Sequence, residues 1–179
     1  MTSLVYMPPL AEYDDYGQKF VAGQFSVGEQ AYVIVFNDIT SLSDMQGKGY
    51  NITVPGFTFP SAGMVEVLFD AVSDVTGSDF GSFGHVTPPS GVSPVTLLKV
   101  MSIIEQHYNV RRPGGYLFYA ATNAQNSNRE TDLTAVYDRL LGVAPMEKGR
   151  LSKASGRLPA GWQVISGLST GGRGYAIIC

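Results

Sequence analysis

Residues 93–115 are SPVTLLKVMSIIEQHYNVRRPGG, and they carry the start, the apolar periodicity and the end of one helix. The Ser93 hydroxyl can accept a hydrogen bond from a free first-turn amide, and Pro94 suits the first helical position because no amide hydrogen is needed there. Pro113 disfavours helical geometry in the residue before it, and two glycines follow, so the helix is expected to end at this point. The side chains predicted to face a core recur at helical spacing: Leu97, Val100, Met101, Ile104 and Tyr108.

A buried strand and a second helix are predicted next. Residues 116–121, YLFYAA, form a short apolar run of the kind that is covered on both faces of a sheet. Ser127 and Glu130 then have the spacing of a capping box, in which each side chain satisfies a free amide at a helix start. Gly142 is placed to end this helix. Its apolar stripe is predicted to contain Leu133, Val136, Tyr137, Leu140 and Leu141.

Strands are predicted ahead of the first helix. Residues 31–36, AYVIVF, are β-branched and aromatic, as in a central strand, and residues 50–54 and 64–69 alternate as half-exposed strands do. The connections between these three segments are too short for crossover helices, so an antiparallel meander is expected. Glu66, between two valines, is expected on the solvent face. Residues 80–86 are a candidate for a fourth strand.

The chain is predicted to close with two more strands. Residues 162–165 and 175–178 have the apolar and aromatic content of strands, and residues 143–161 before them are typical of a solvated loop. No internal repeat or change of composition marks a second domain within residues 29–179. The expected fold class is therefore α/β, a single domain with a mixed, mostly antiparallel sheet and two main helices.

Residues 1–28 are treated as an N-terminal arm. Two prolines interrupt them, and their apolar spacing supports a weakly amphipathic helix at most. Residues 4–7 are a candidate for a short edge strand, and an extended arm, docked on the domain or on a neighbour, is the alternative to the helix. The aromatic side chains favour docking, because burial of such surface is favourable. A protein partner or a second copy of the chain is therefore expected to bind through this segment.

Composition excludes several classes of function. The chain has 179 residues, a formal net charge of -3 and a sequence pI near 5.3, so it offers no long-range attraction for nucleic acid. It has no apolar run near the roughly 20 residues of a membrane span and no signal-peptide pattern, so neither membrane insertion nor export through a signal peptide is expected. Two histidines and the single Cys179 offer no metal-ligand spacing and no disulfide pair.

The order of these elements resembles the GNAT superfamily of N-acetyltransferases. More narrowly, the chain resembles phage-encoded proteins of GNAT-like fold, over roughly residues 32–179 and most sharply over residues 92–141. The residues that carry the narrower resemblance are Val92 to Thr96, Ile103, Ile104, Tyr116 to Ala121, Arg129 and Tyr137 to Leu140. In that family the first central helix begins at the acetyl-CoA pyrophosphate, and the second carries a tyrosine near the leaving thiolate. The resemblance implies acetyl-CoA as cofactor and the host cytoplasm or the virion as location.

The resemblance also implies catalytic residues. Tyr137 corresponds to the tyrosine that protonates the thiolate, although it equally fits the apolar stripe of its own helix. A general base is expected on or near the strand before the first helix. His85 is the best candidate there because its unperturbed pKa of about 6.5 suits proton transfer, although it also fits an ordinary turn or strand position. Asp70, Asp74 and Asp79 are the alternatives.

Cofactor-binding residues are implied at the starts of the two helices. Backbone amides at the first helix start would hold the pyrophosphate, and the residues concerned are Ser90, Gly91, Val92 and Ser93. Pro88 and Pro89 just before them have no amide hydrogen, which departs from the family's glycine-rich phosphate loop. Asn128 matches an asparagine that many members carry before the second helix, and capping alone also explains it.

Two functions are left open by the sequence. The first is an acyl-CoA-dependent N-acyltransferase of phage type. The second is a non-catalytic phage virion or accessory protein that uses the GNAT-like fold to bind other proteins. The departure in the phosphate loop, the aromatic arm and the low charged fraction of 15 % favour the second.

Overall fold

The computed structural model describes residues 6–72, 93–119, 133–143, 148–154, 158–168 and 173–179. In these residues the protein is α/β, with eight strands in one mixed, mostly antiparallel sheet and three helices. The strands are β1 (Leu10–Asp15), β2 (Gln18–Val27), β3 (Gln30–Ile39), β4 (Met64–Val72), β5 (Gly115–Tyr119), β6 (Leu151–Lys153), β7 (Gln163–Leu168) and β8 (Gly174–Ile178). The helices are α1 (Leu42–Gly47), α2 (Pro94–Arg111) and α3 (Leu133–Leu141). The order of strands in the sheet is β1-β2-β3-β4-β5-β8-β7-β6.

The chain divides into two compact units. The first consists of residues 1–37 and 67–112, and the second of residues 38–66 and 113–179. The first unit therefore holds β1, β2 and α2. The second unit holds α1, β5, α3 and the three closing strands.

The first unit begins with a β-hairpin. Strand β1 pairs antiparallel with β2, and β2 pairs antiparallel with β3. Tyr16 and Gly17 make the turn of the hairpin, both at positive φ, and the Gly17 amide donates to Asp14 Oδ1 at 2.7 Å. The stacked rings of Tyr13 and Phe20 lie across the two strands. Two strands thus lie in the segment treated as an arm, and the helix considered for it is wrong because its apolar residues serve strand pairing.

Helix α2 has the start and the end that its sequence predicts. Ser93 Oγ accepts a hydrogen bond from the Thr96 amide at 3.2 Å, and Pro94 is the first helical residue. Arg112 ends the helix in the left-handed conformation, with its amide on the Tyr108 carbonyl at 3.0 Å. Both predicted boundaries are confirmed.

The buried face of α2 is close to the predicted stripe. Four of the five predicted residues are buried: Leu97, Val100, Met101 and Ile104. Tyr108 is half-buried, and His107 takes a buried place beside it. The His107 ring stacks on Phe36 of β3, with ring centroids 4.3 Å apart, and on Tyr6. Helix α2 thus packs on β3 partly through His107, a residue that the predicted stripe does not contain.

Strand β5 confirms the predicted strand of the second unit over residues 116–119, whereas Ala120 and Ala121 lie outside the described residues. It pairs in parallel with β4, where Val65 lies opposite Tyr116 and Glu66 opposite Leu117. On its other side it pairs antiparallel with β8, which continues antiparallel to β7, and β7 to β6. The closing strands β7 and β8 are therefore confirmed as well. One core cluster of this unit consists of Ile39, Met45, Tyr50, Met64, Leu117, Ile165, Leu168 and Ala176.

Helix α3 follows the predicted second helix. It ends at Leu141, and Gly142 has a positive φ of 70°, as predicted for its end. The predicted capping box of Ser127 and Glu130 lies outside the described residues. So does the candidate strand at residues 80–86.

Three predictions around the second unit are wrong. Residues 50–54 form no strand, so the expected meander does not exist. The connection between the predicted strands at residues 31–36 and 50–54, for which no helix is expected, contains α1, whose Ser41 cap accepts from the Asp44 amide at 3.1 Å. The predicted loop at residues 143–161 contains β6.

None of the described helices is both long and apolar enough to cross a membrane.

Candidate functional site

The structure describes two of the seven residues that the sequence prefers for a site, and of the three alternative bases it describes Asp70, whose Oδ1 accepts from the Ala71 amide at 2.9 Å. Ser93 lies in the first unit and Tyr137 in the second, and each is considered within its own unit. The other five lie outside the described residues: His85, Ser90, Gly91, Val92 and Asn128.

Ser93 acts as the N-cap of α2. Its Oγ accepts from the Thr96 amide, and the two hydroxyls of Ser93 and Thr96 lie 3.1 Å apart. Thr96 Oγ1 in turn donates to the Tyr32 hydroxyl of β3 at 3.5 Å. The Ser93 side chain is therefore engaged in capping, so it can offer a ligand only its backbone amide.

Tyr137 lies on α3 with its ring against the sheet of the second unit. Only 4 % of it is exposed, and its ring centroid is 5.4 Å from those of Phe118 and Tyr175. Within the part of the chain that the structure describes, its hydroxyl has no hydrogen-bond partner. Burial raises the pKa of Tyr137 well above that of a free phenol, so the side chain is a neutral hydroxyl that holds its proton more tightly than a free phenol does.

An ionic contact fixes α3 beside Tyr137. The Tyr175 hydroxyl of β8 donates to Asp138 Oδ1 at 2.7 Å, and Lys148 Nζ lies 3.5 Å from Asp138 Oδ2. Asp138 directly follows Tyr137 in the helix, and Tyr175 also touches the Tyr137 ring. Tyr175 thus binds α3 through Asp138 and also packs against one side of the Tyr137 ring.

A second polar group surrounds Glu66 on β4. Its Oε2 lies 3.1 Å from Lys48 Nζ, and its Oε1 accepts from the Tyr50 hydroxyl at 3.3 Å. The Tyr119 ring stacks on Tyr50 with centroids 4.4 Å apart. We call these four residues, Lys48, Tyr50, Glu66 and Tyr119, the Glu66 cluster. Burial, and then the Glu66 charge, raise the pKa of Tyr50, which keeps its proton for the hydrogen bond.

Glu66 corrects a prediction. It was expected on the solvent face of its strand, and it is only 8 % exposed. Strand β4 is covered on both faces at this point, so alternation with two valines does not mark an exposed position. Its partner Lys48 is eighteen residues away at the end of α1, so no local spacing in the sequence indicates the pair.

Tyr137 and the Glu66 cluster lie on opposite faces of the sheet in the second unit. Partnered residues on neighbouring strands share a face, and successive residues alternate between faces. Glu66 is partnered with Leu117, whereas Phe118, which touches Tyr137, is partnered with Tyr175. Glu66 therefore cannot serve as a base facing Tyr137 across one face of the sheet.

The described residues contain no group of three or more histidine, cysteine, aspartate or glutamate side chains that could hold a metal ion. No protein-family model, no curated protein and no solved structure matches this chain.

Proposed function

We propose that the protein is an acyl-CoA-dependent N-acyltransferase of GNAT-like fold in which Tyr137 is the general acid. One observation carries this proposal: a protonated hydroxyl buried on the helix after β5, without a partner among the described residues. Leaving a buried hydroxyl unsatisfied costs about 1–3 kcal/mol, so such a group calls for an explanation. A thiolate that leaves acyl-CoA is a group that this hydroxyl can protonate, and in this respect the residues fit the cofactor.

The order of elements supports the proposal. Antiparallel strands, α2, the buried β5, α3 and the closing pair β7 and β8 follow the order on which the resemblance to GNAT proteins rests. Helix α2 also begins at its predicted cap, Ser93. The backbone amides of residues 90–93 are proposed to hold the pyrophosphate at that helix start.

Each residue has a defined task in the proposed reaction. Acetyl-CoA supplies the activated acyl group when bound. His85 is proposed to take a proton from the acceptor amine while the amine nitrogen forms the new C–N bond to the carbonyl carbon. Tyr137 gives its proton to the sulfur as the C–S bond breaks. An ordinary phenol, with a pKa of about 10, already carries this proton at neutral pH.

Thermal unfolding with and without acetyl-CoA tests cofactor binding. Ligand at about 100 times its dissociation constant adds about 2.7 kcal/mol to the free energy of unfolding, which raises the melting temperature by several degrees. No shift at millimolar acetyl-CoA would contradict the proposal.

Tyr137→Phe then tests the acid, with Tyr119→Phe as the matched control. The control loses a phenol on the other face of the same sheet, at a half-exposed position. Acyl transfer to a panel of primary amines should fall by roughly a hundredfold to ten-thousandfold in Tyr137→Phe alone. Its stability should stay equal or rise, because the lost hydroxyl has no partner in the described structure. Full activity in Tyr137→Phe would reduce Tyr137 to a packing residue.

The second candidate is a non-catalytic phage virion or accessory protein. The β1–β2 hairpin favours it, because Tyr16 at the tip is fully exposed and β1 is the first strand in the sheet order. An exposed aromatic side chain beside an outer strand suits contact with another protein. Purified phage particles would then contain the chain at a constant ratio to the known structural proteins, and its absence from them would exclude the virion role.

A further inference from the structure

The strand at one end of the sheet order is acidic. Strand β1 pairs with β2 on one side, and no described strand pairs with its other side. Glu12, Asp14 and Asp15 are all exposed on this six-residue strand. Lys19 Nζ of β2 lies 3.6 Å from Glu12 Oε1, and Asp14 Oδ1 accepts a hydrogen bond from the Gly17 amide. Asp15 has no ionic partner among the described residues.

The strand at the other end is basic. Strand β6 pairs with β7 on one side, and no strand within the described ranges pairs with its outer side. Lys148, Arg150 and Lys153 lie on or just before it, and all three are exposed. Lys148 contacts Asp138. Arg150 and Lys153 contact no carboxylate in the described structure.

We infer that copies of this chain associate head to tail, with the acidic edge β1 of one copy against the basic edge β6 of the next. Each edge presents backbone donors and acceptors that another strand can use. The charges then select the partner. Two β1 edges repel each other, and so do two β6 edges, whereas β1 and β6 attract. The occupant that fits each edge is therefore a second copy of the same chain.

Charged residues on an edge strand commonly keep proteins apart, and that protection works here between like edges only. The two edges differ in sign, so the same charges that prevent symmetric pairing favour the asymmetric contact. Such a contact uses two different surfaces of each copy, and it continues into a ring or a filament. Strand β6 has only three residues, so the ladder is short and the charges supply much of the attraction.

Ionic strength is the first test. The screening length is about 30 Å at 0.01 M salt and about 3 Å at 1 M. Sedimentation velocity on the full chain should show concentration-dependent species larger than one copy at low salt and a single copy at high salt. A chain that stays monomeric at high concentration and low salt would overturn the inference.

Charge reversal is the second test. One variant carries Glu12→Lys with Asp15→Lys, and the other carries Arg150→Glu with Lys153→Glu. The four side chains are exposed, so the fold should persist. Each variant alone has two edges of the same sign and should remain monomeric. An equal mixture of the two should associate again, because each edge then finds its opposite in the other variant.

A control separates edge charge from net charge. Glu29→Lys with Glu105→Lys changes the net charge as much as the β1 variant does, at residues that belong to neither β1 nor β6, and it should associate like the wild type. If only one edge variant loses association, or if the mixture does not restore it, β1 and β6 do not contact each other and the inference fails.

Discussion

At the scale of single residues, the Glu66 cluster couples Lys48 to a buried carboxylate. We expect Lys48→Met to lower the free energy of unfolding by about 1–3 kcal/mol, because it leaves Glu66 without its cation. Lys48→Met with Glu66→Leu should cost less than Lys48→Met alone, since no charge is then left unpaired. Urea unfolding of the wild type, both single variants and the double variant measures the coupling. Additive effects would show that the pair is not coupled.

Stability should fall at alkaline pH because of two buried tyrosines and the half-buried Cys179. Burial raises the pKa of Cys179 to about 12, and it also raises the pKa of Tyr50 and Tyr137. A raised pKa gives stability that is fully present below the unfolded value, about 8.5 for a thiol and about 10 for a phenol. It is lost as the pH rises toward the folded value. Urea midpoints should therefore decline above about pH 9, and Cys179→Ser should make the early part of this decline shallower.

At the scale of elements, the junction of β5 with β8 depends on Gly115. A Cβ at this position would lie 2.5 Å from the Ile177 carbonyl oxygen and 2.7 Å from Met64 Cε. Gly115→Ala should therefore destabilise the protein by several kcal/mol, to an extent set by how far the strands can shift. Gly47→Ala is the matched control, because nothing lies within 4 Å of its Cβ in α1 and it should be neutral or stabilising. Equal melting temperatures for the two variants would contradict this account.

The elements that the sequence predicts well are those with local signals. Helix α2 has its cap, its stripe and its stop within one stretch, so its boundaries follow from the sequence alone. Residues 50–54 alternate because Tyr50, Ile52 and Val54 pack on the core cluster, and packing alone produces the same pattern as a strand. Helix α1 is six residues long with one buried side chain, which is too short for a periodic signal.

The residues of the candidate site likewise include some that the sequence indicates and some that it does not. Tyr137 could be selected because the resemblance implies a tyrosine on the second helix, and its burial follows from the apolar stripe of that helix. Glu66 could not, since its burial depends on Lys48 and Tyr50, which only the folded chain brings to it.

At the scale of the whole molecule, two strands of the sheet lie within the segment 1–28. These are β1 and β2, and β2 covers one side of β3 by antiparallel pairing from Val21 to Val27. Deletion of residues 1–28 should therefore expose the backbone of β3 and yield an insoluble or unfolded chain. Circular dichroism and the soluble fraction on expression provide the measurement. A folded, monomeric truncated protein would show that these two strands are dispensable.

The parallel pairing of β4 with β5 has a consequence for how the chain reaches its native state. Glu66 and Leu117 become neighbours only after the chain between them, including α2, has closed a long loop. Closing this loop costs conformational entropy before the β4–β5 contacts can contribute favourable free energy. The β1–β2 and β2–β3 hairpins, by contrast, can form early from local contacts. During synthesis β5 also lacks its second neighbour until β8 is available. Nascent chains should thus pass through a stage with an open, apolar strand edge, at which a holding chaperone has most effect on yield.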